Sequence, residues 1–319
     1  MRAAVRWILA SMLIGLMACV GAKGDTGDPG PTGPQGPAGS VGAQGPAGPP
    51  GPGITFPVMP ELLSGITPHG CGGLSWTGAG GTFQGYGGTA IFPSRFRTGN
   101  PVVVATLDAD TGGANSIRLL RPSSNRVTFR CNNTADTVHW LAMQPGVYTV
   151  GGHRIEAGVV PNTGTGTSGT ISFTPPGFST APIVLLAIDE TAAAGTLTTR
   201  VTGSPSTTQF TYSLNAATNG LALHWIAMDP GTYTHGRYRW TAGALQVNGG
   251  PSACTTVCTL PRPAGLTTDP AVLLTINDTN SAGADRIWLN GSTPAGFTFQ
   301  MNLATENVFY VVMEDLPSP

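Results

Sequence analysis

Five histidines (His69, His139, His153, His224 and His235) and the spaced carboxylate pair Asp108-Ala109-Asp110 are side chains of types suited to catalysis or metal binding. A general base needs a partner that orients it and a group that it serves. The histidines do not recur with acidic or serine partners at a common spacing, and no Gly-x-Ser-x-Gly, His-Glu-x-x-His or repeated carboxylate pair of the glycosidase kind is present. Asp108-Ala-Asp110-Thr-Gly offers hard oxygens to calcium, but that ion takes about six to eight of them, so turn capping is the better reading. There is no Cys-x-x-Cys pair with matching histidines for zinc. The sequence therefore predicts no enzyme, no metal and no cofactor.

What does recur is a longer pattern. Asn100-Pro-Val-Val-Val-Ala-Thr-Leu-Asp108, Ala181-Pro-Ile-Val-Leu-Leu-Ala-Ile-Asp189 and Asp269-Pro-Ala-Val-Leu-Leu-Thr-Ile-Asn-Asp278 are three versions of one strand. The first two follow a pair of phenylalanines, Phe92 and Phe96 or Phe173 and Phe178, and an arginine comes after each of the three: Arg118, Arg200, Arg286. An aromatic strand follows at Val127-Thr-Phe129, Gln209-Phe-Thr-Tyr212 and Phe297-Thr-Phe299. A last strand closes each copy at Val138-His-Trp-Leu-Ala-Met143, Leu223-His-Trp-Ile-Ala-Met228 and Phe309-Tyr-Val-Val-Met313. Pro-Gly-x-Tyr-Thr ends the first two copies, at Pro145 to Thr149 and Pro230 to Thr234.

Apolar and β-branched runs bounded by Gly, Pro, Asn and Ser are strand signals. The repeat is about 80 to 85 residues long, too long for a solenoid unit. The expected fold is all-β: three tandem antiparallel β-sandwiches of about six strands each. Alternation within the last strand places Trp140 and Trp225 in cores and turns His139 and His224 outward.

The order and spacing of these elements resemble the H-type lectin domain of snail agglutinins and discoidins, across all three copies. The resemblance implies six-stranded sandwiches that assemble in threes and bind galactose or N-acetylgalactosamine in clefts between neighbours. It makes Arg118, Arg200 and Arg286 the carbohydrate-binding arginines, whose planar fork donates two hydrogen bonds to vicinal hydroxyls. The Trp-His pair of the family's binding loop is replaced here by Cys131-Asn132-Asn133-Thr134, Asn215-Ala-Ala-Thr218 and Asn302-Leu-Ala-Thr305. Asn132, Asn133, Asn215 and Asn302 are ligand candidates because an amide both donates and accepts, although asparagine also serves such turns conformationally.

Ahead of these copies, glycine stands at every third position from Gly21 to Gly51. Only a residue without a side chain fits the axis of a triple helix, and an unbroken period of three is specific for a collagen-like rod. The alternative is a single semi-stiff spacer of roughly 100 Å. Arg2 and Arg6 precede the apolar run Trp7 to Ala18, too short for a membrane span, and Leu16-Met17-Ala18-Cys19 looks like a bacterial lipoprotein signal. Cys19 would carry the lipid, and several acyl chains give stable membrane anchoring. Val20 after it favours the outer membrane of a diderm bacterium.

Export makes disulfides the default for the other cysteines. Cys254 and Cys258 are close enough only for a local staple, leaving Cys71 and Cys131 to pair across a domain; snail members tie matching positions. With 10% charged residues, a net charge of -1 and Lys23 as the sole lysine, no nucleic-acid partner is expected.

The expected organisation is 1–19 signal and lipidated cysteine, 20–53 stalk, 54–69 linker, and copies at 70–149, 150–235 and 236–319. The expected function is multivalent glycan binding or adhesion at the bacterial cell surface, as a homotrimer on its stalk. The alternative is a structural surface or matrix protein that uses the sandwiches for trimerisation or protein contacts. Whether the copies also form a pseudo-trimer within one chain is open at this level. A stalk of three strands predicts a threefold mass by analytical ultracentrifugation and a polyproline-like circular dichroism band that melts cooperatively. A monomer at micromolar concentration would leave only the spacer.

Overall fold

The computed structural model describes residues 62–67, 72–78, 81–92, 95–96, 99–109, 116–131, 137–161, 167–190, 197–215, 221–235, 238–246, 257–266, 270–278, 286–293, 296–301 and 307–316. All lie in Phe56–Pro319, the second of two units into which the chain divides. The signal, Cys19 and the Gly-X-Y segment 20–53 lie outside the described residues, as do Cys71, Cys254, Asn132, Asn133 and Asn302.

The described elements are all strands. The first copy holds β1 (Leu62–Thr67), β2 (Gly72–Gly78), β3 (Gly81–Ile91), β4 (Val102–Asp108), β5 (Ile117–Ser123), β6 (Arg126–Cys131) and β7 (Thr137–Met143). The second follows with β8 (Gly146–Val150), β9 (His153–Val160), β10 (Ser168–Ser172), β11 (Ile183–Glu190), β12 (Thr199–Thr202), β13 (Gln209–Leu214) and β14 (Leu221–Met228). The third has β15 (Gly231–His235), β16 (Tyr238–Gln246), β17 (Cys258–Pro261), β18 (Ala271–Asp278), β19 (Ile287–Thr293), β20 (Gly296–Met301) and β21 (Asn307–Asp315).

The sheets do not follow the copy boundaries. Their orders are β1-β7-β4-β19-β20-β17, β2-β3-β6-β5-β11-β14-β9-β8 and β10-β13-β12-β18-β21-β16-β15. Each sheet is built from two copies, three and three strands in the first, four and four in the second, and three and four in the last. Pairing is antiparallel within each copy, as expected, but parallel at the three joins: Leu119↔Asp189, Val201↔Asn277 and Leu289↔Asp108. Copy 1 is thus joined to 2, 2 to 3, and 3 back to 1.

The sequence of the joining strands explains this. β6 and β13 alternate between buried and less buried positions, the pattern of a strand with one covered face. β4 and β18 instead carry near-continuous apolar runs, and all eight residues of β18 are buried. Such a strand must be covered on both faces, which an isolated two-layer unit cannot do for it. Within copy 2 the two halves face one another, because Trp225 of β14 packs its ring 5.7 Å from Phe210 of β13 and 6.1 Å from Phe173. Trp140 meets Phe92 in the same way at 5.3 Å. Phe92 and Phe173 are held in place by backbone bonds to Asn125 and Thr208.

Register shows two further points. Leu62, Ile155 and Trp240 pair with Met143, Met228 and Met313, so β1 occupies in copy 1 the place of β9 and β16. The first strand of copy 1 therefore lies inside the segment 54–69 that the sequence suggests is a linker; its flanking prolines hid it. Also, Gly65, Gly158 and Gly243 stand opposite Trp140, Trp225 and Tyr310. A Cβ on Gly158 would lie 2.7 Å from Trp225 Cζ2, and one on Gly243 2.6 Å from Tyr310 Cζ. The missing side chain makes room for the aromatic ring across the strand pair. Gly158→Ala should accordingly cost about 1–3 kcal/mol, since the buried Trp225 ring cannot swing away. The measurement is the urea midpoint, and an unchanged value would mean that the ring is not confined.

Candidate functional site

The joins between copies gather most of the residues with chemistry to offer. Each joining strand pairs fully with one neighbour, leaving N–H groups along its other edge that need acceptors. Side chains of the next copy provide them. Val103 N–H donates to His224 Nδ1 (3.0 Å) and Val272 N–H to His139 Nδ1 (3.1 Å). Leu186 N–H donates to the Thr275 hydroxyl (3.1 Å) and Leu274 N–H to that of Thr106 (2.8 Å).

His139 and His224 are 7% and 3% exposed, so the outward orientation expected from alternation ends in a neighbouring copy and not in solvent. Trp140 and Trp225 are buried as expected. Because Nδ1 accepts, both rings are neutral with the proton on Nε2. Nε2 of His139 lies 3.5 Å from Asp108, whose other oxygen accepts from Gly291 N–H of copy 3 at 3.1 Å. Asp108 thereby fixes the copy 3–copy 1 join. Asp189 lies 3.9 Å from His224 Nε2, beyond hydrogen-bonding reach. Burial consequently dominates at His224 and lowers its pKa from 6.5 to about 4.

The arginines fall in this zone too. Arg118 and Arg200 occupy matching positions, one residue before the join residues Leu119 and Val201, and both are buried, at 3% and 8% exposure. Arg286 does not match them. Leu289 is the join residue of copy 3, so Trp288 holds the arginine position while Arg286 matches Ser116 and Thr198. The spacing of the repeats hid this shift of two residues, which keeps Arg286 on the same face of its strand.

Arg118 and Arg286 line a cavity of about 70 Å³ where the three copies meet, along with Ser116, Thr198, Thr106 and Thr275. Small-molecule sites are commonly about 300–1,000 Å³, so this space suits water and not a sugar ring.

Asn215 is the one candidate asparagine in view. Its Oδ1 accepts from Thr198 N–H at 2.8 Å while its own N–H donates to Thr198 carbonyl oxygen at 3.2 Å. That is the conformational use of asparagine. Cys131 and Cys258 are both disulfide-bonded. Among the described residues, no group of three or more His, Cys, Asp or Glu is placed to hold a metal ion.

Two features of the site escaped sequence reasoning: the threonine acceptors and the sharing of Asp108 between copies. Thr106 and Thr275 interrupt otherwise apolar strands, and that interruption was the available signal.

No family model matches the chain, and neither does any curated protein or solved structure.

The His224 contact has a pH signature. Its folded pKa lies below the unfolded value, so between about pH 4 and 6.5 the unfolded state binds more protons. The stability present above pH 6.5 should fall as pH drops toward 4, by up to about 3 kcal/mol. His224→Gln keeps an acceptor for Val103 N–H but cannot titrate, and should flatten that part of a urea-midpoint profile. An equal slope in both proteins would place the titration elsewhere.

Proposed function

We propose that this chain is a cell-surface glycan-binding protein, lipid-anchored through Cys19, whose collagen-like stalk carries a head of three H-type lectin-like sandwiches closed into a ring. The observation that carries the reading is the position of Arg118 and Arg200. Each lies on a strand that one copy lays against the joining strand of the next. Sugar sites of this class are expected in clefts between neighbours, and here the neighbours are copies within one chain. Individually weak sites gain from repetition, and three chains on one stalk would present nine joins.

A second reading is favoured by the burial of both arginines and the use of the Asn215 oxygen by Thr198. In that reading the head is structural, trimerising or capping the stalk and contacting protein.

A glycan array probed with the purified protein separates the two. The lectin reading predicts binding to galactose- or N-acetylgalactosamine-type glycans that drops at least about tenfold in Arg200→Ala, a loss of about 1.4 kcal/mol. The circular dichroism spectrum of the variant should remain folded. An array silent at high protein concentration leaves the structural head.

A further inference from the structure

Two of the joins close on a histidine and the third does not. His224 of copy 2 accepts Val103 N–H of copy 1, and His139 of copy 1 accepts Val272 N–H of copy 3. At the copy 2–copy 3 join the Thr275 hydroxyl takes Leu186 N–H, and a hydroxyl does not titrate in this range. The difference extends to a second position. Register aligns Asp108, Asp189 and Asn277 in β4, β11 and β18, opposite Thr137, Ala222 and Asn307. The joins therefore carry His139 with Asp108, His224 with Asp189, and Phe309 with Asn277, so both members change together.

A histidine so placed is a proton-sensitive latch. Nδ1 accepts a hydrogen bond only while the ring is neutral. A second proton sets N–H against N–H at residues 7% and 3% exposed, where water cannot satisfy either donor. Among the described residues, Asp108 of β4 is the charged group facing His139, and register sets uncharged Thr106 and Ile66 beside that ring. Asp189 of β11 is the one facing His224, with uncharged Ala187 and Val159 beside it. Both carboxylates lie toward Nε2, so neither replaces the bond lost at Nδ1.

We propose that the ring of copies is an acid-sensitive clasp: protonation of the histidines opens the copy 1–copy 2 join, loosens copy 3–copy 1, and leaves copy 2–copy 3 closed. The grading comes from the threonine position. Leu274 N–H still reaches the Thr106 hydroxyl at the copy 3–copy 1 join, whereas copy 2 has Ala187 at that place. Copy 1 is shared by both latches, so acid frees it while copies 2 and 3 stay together. The copy 2–copy 3 join has a carboxylate, Asp278 opposite Thr202, but Phe309 at its histidine position. The proposal does not depend on glycan binding.

Hydrogen exchange on the purified full chain reads each join through one amide. Protection factors, corrected for the intrinsic rate at each pH, should fall at Val103 on the order of 100-fold between pH 7 and pH 4, because burial depresses His224 from 6.5 to about 4. Val272 should lose less, and Leu186 should hold. In His224→Gln, Val103 should lose its pH dependence while Val272 keeps its own. Unchanged protection at Val103 in acid would overturn the proposal. So would an equal loss at Leu186, the mark of global unfolding, or the same loss at Val103 in the variant. If the circular dichroism spectrum shows that His224→Gln does not fold, Val103 against Leu186 in the unmodified chain decides.

Discussion

The described fold rests on a constraint at β4, β11 and β18: a strand apolar on both faces must be covered from both sides. No single copy can do this, because one face of the strand already meets the copy's own aromatic core. The solution is for each copy to lend its joining strand to the next, so that three sheets are each built by two copies. Everything at the joins follows, including the parallel pairs at Leu119, Val201 and Leu289 and the histidine and threonine acceptors for the leftover backbone donors.

Linking the copies in one chain releases them from identity. In an assembly of identical subunits every contact appears three times, whereas here each join is written separately. The histidine position reads His139, His224 and Phe309, and the threonine position Thr106, Ala187 and Thr275. Where Arg118 and Arg200 stand in two copies, Trp288 stands in the third. The ion pairs beneath the first strands differ as well. Arg154 contacts Glu156 at 2.8 Å in copy 2, while in copy 3 Arg239 meets Glu314, which is wholly buried. The three joins are thus chemically distinct, and a ligand at one join need not fit another.

Much of the strand content was legible because period and composition are local. The runs around Val102, Ile183 and Ala271 were recognisable as strands, and their lack of alternation was the mark of double coverage. What covers them was not legible. Each join consists of one or two parallel residue pairs, too few to leave a pattern in the chain. His139 and His224 show the same limit, since alternation gives the face of a strand but not what lies beyond it. Arg286 was misaligned with Arg118 and Arg200 because the connection between the joining strand and the next has no fixed length, and only register resolves a shift of two. Asn215 illustrates the converse: its conformational role was legible as one of two readings, and the Thr198 contact shows that role in use.

Copy 2 expressed alone, as residues 146–230, tests the shared-sheet account most directly. With β11 stripped of its neighbour on one side, the fragment should either fail to show a cooperative unfolding transition or associate in threes by sedimentation to regain the missing cover. A folded, dispersed NMR spectrum from a monomer would contradict the account, because it would mean that one copy satisfies its joining strand unaided.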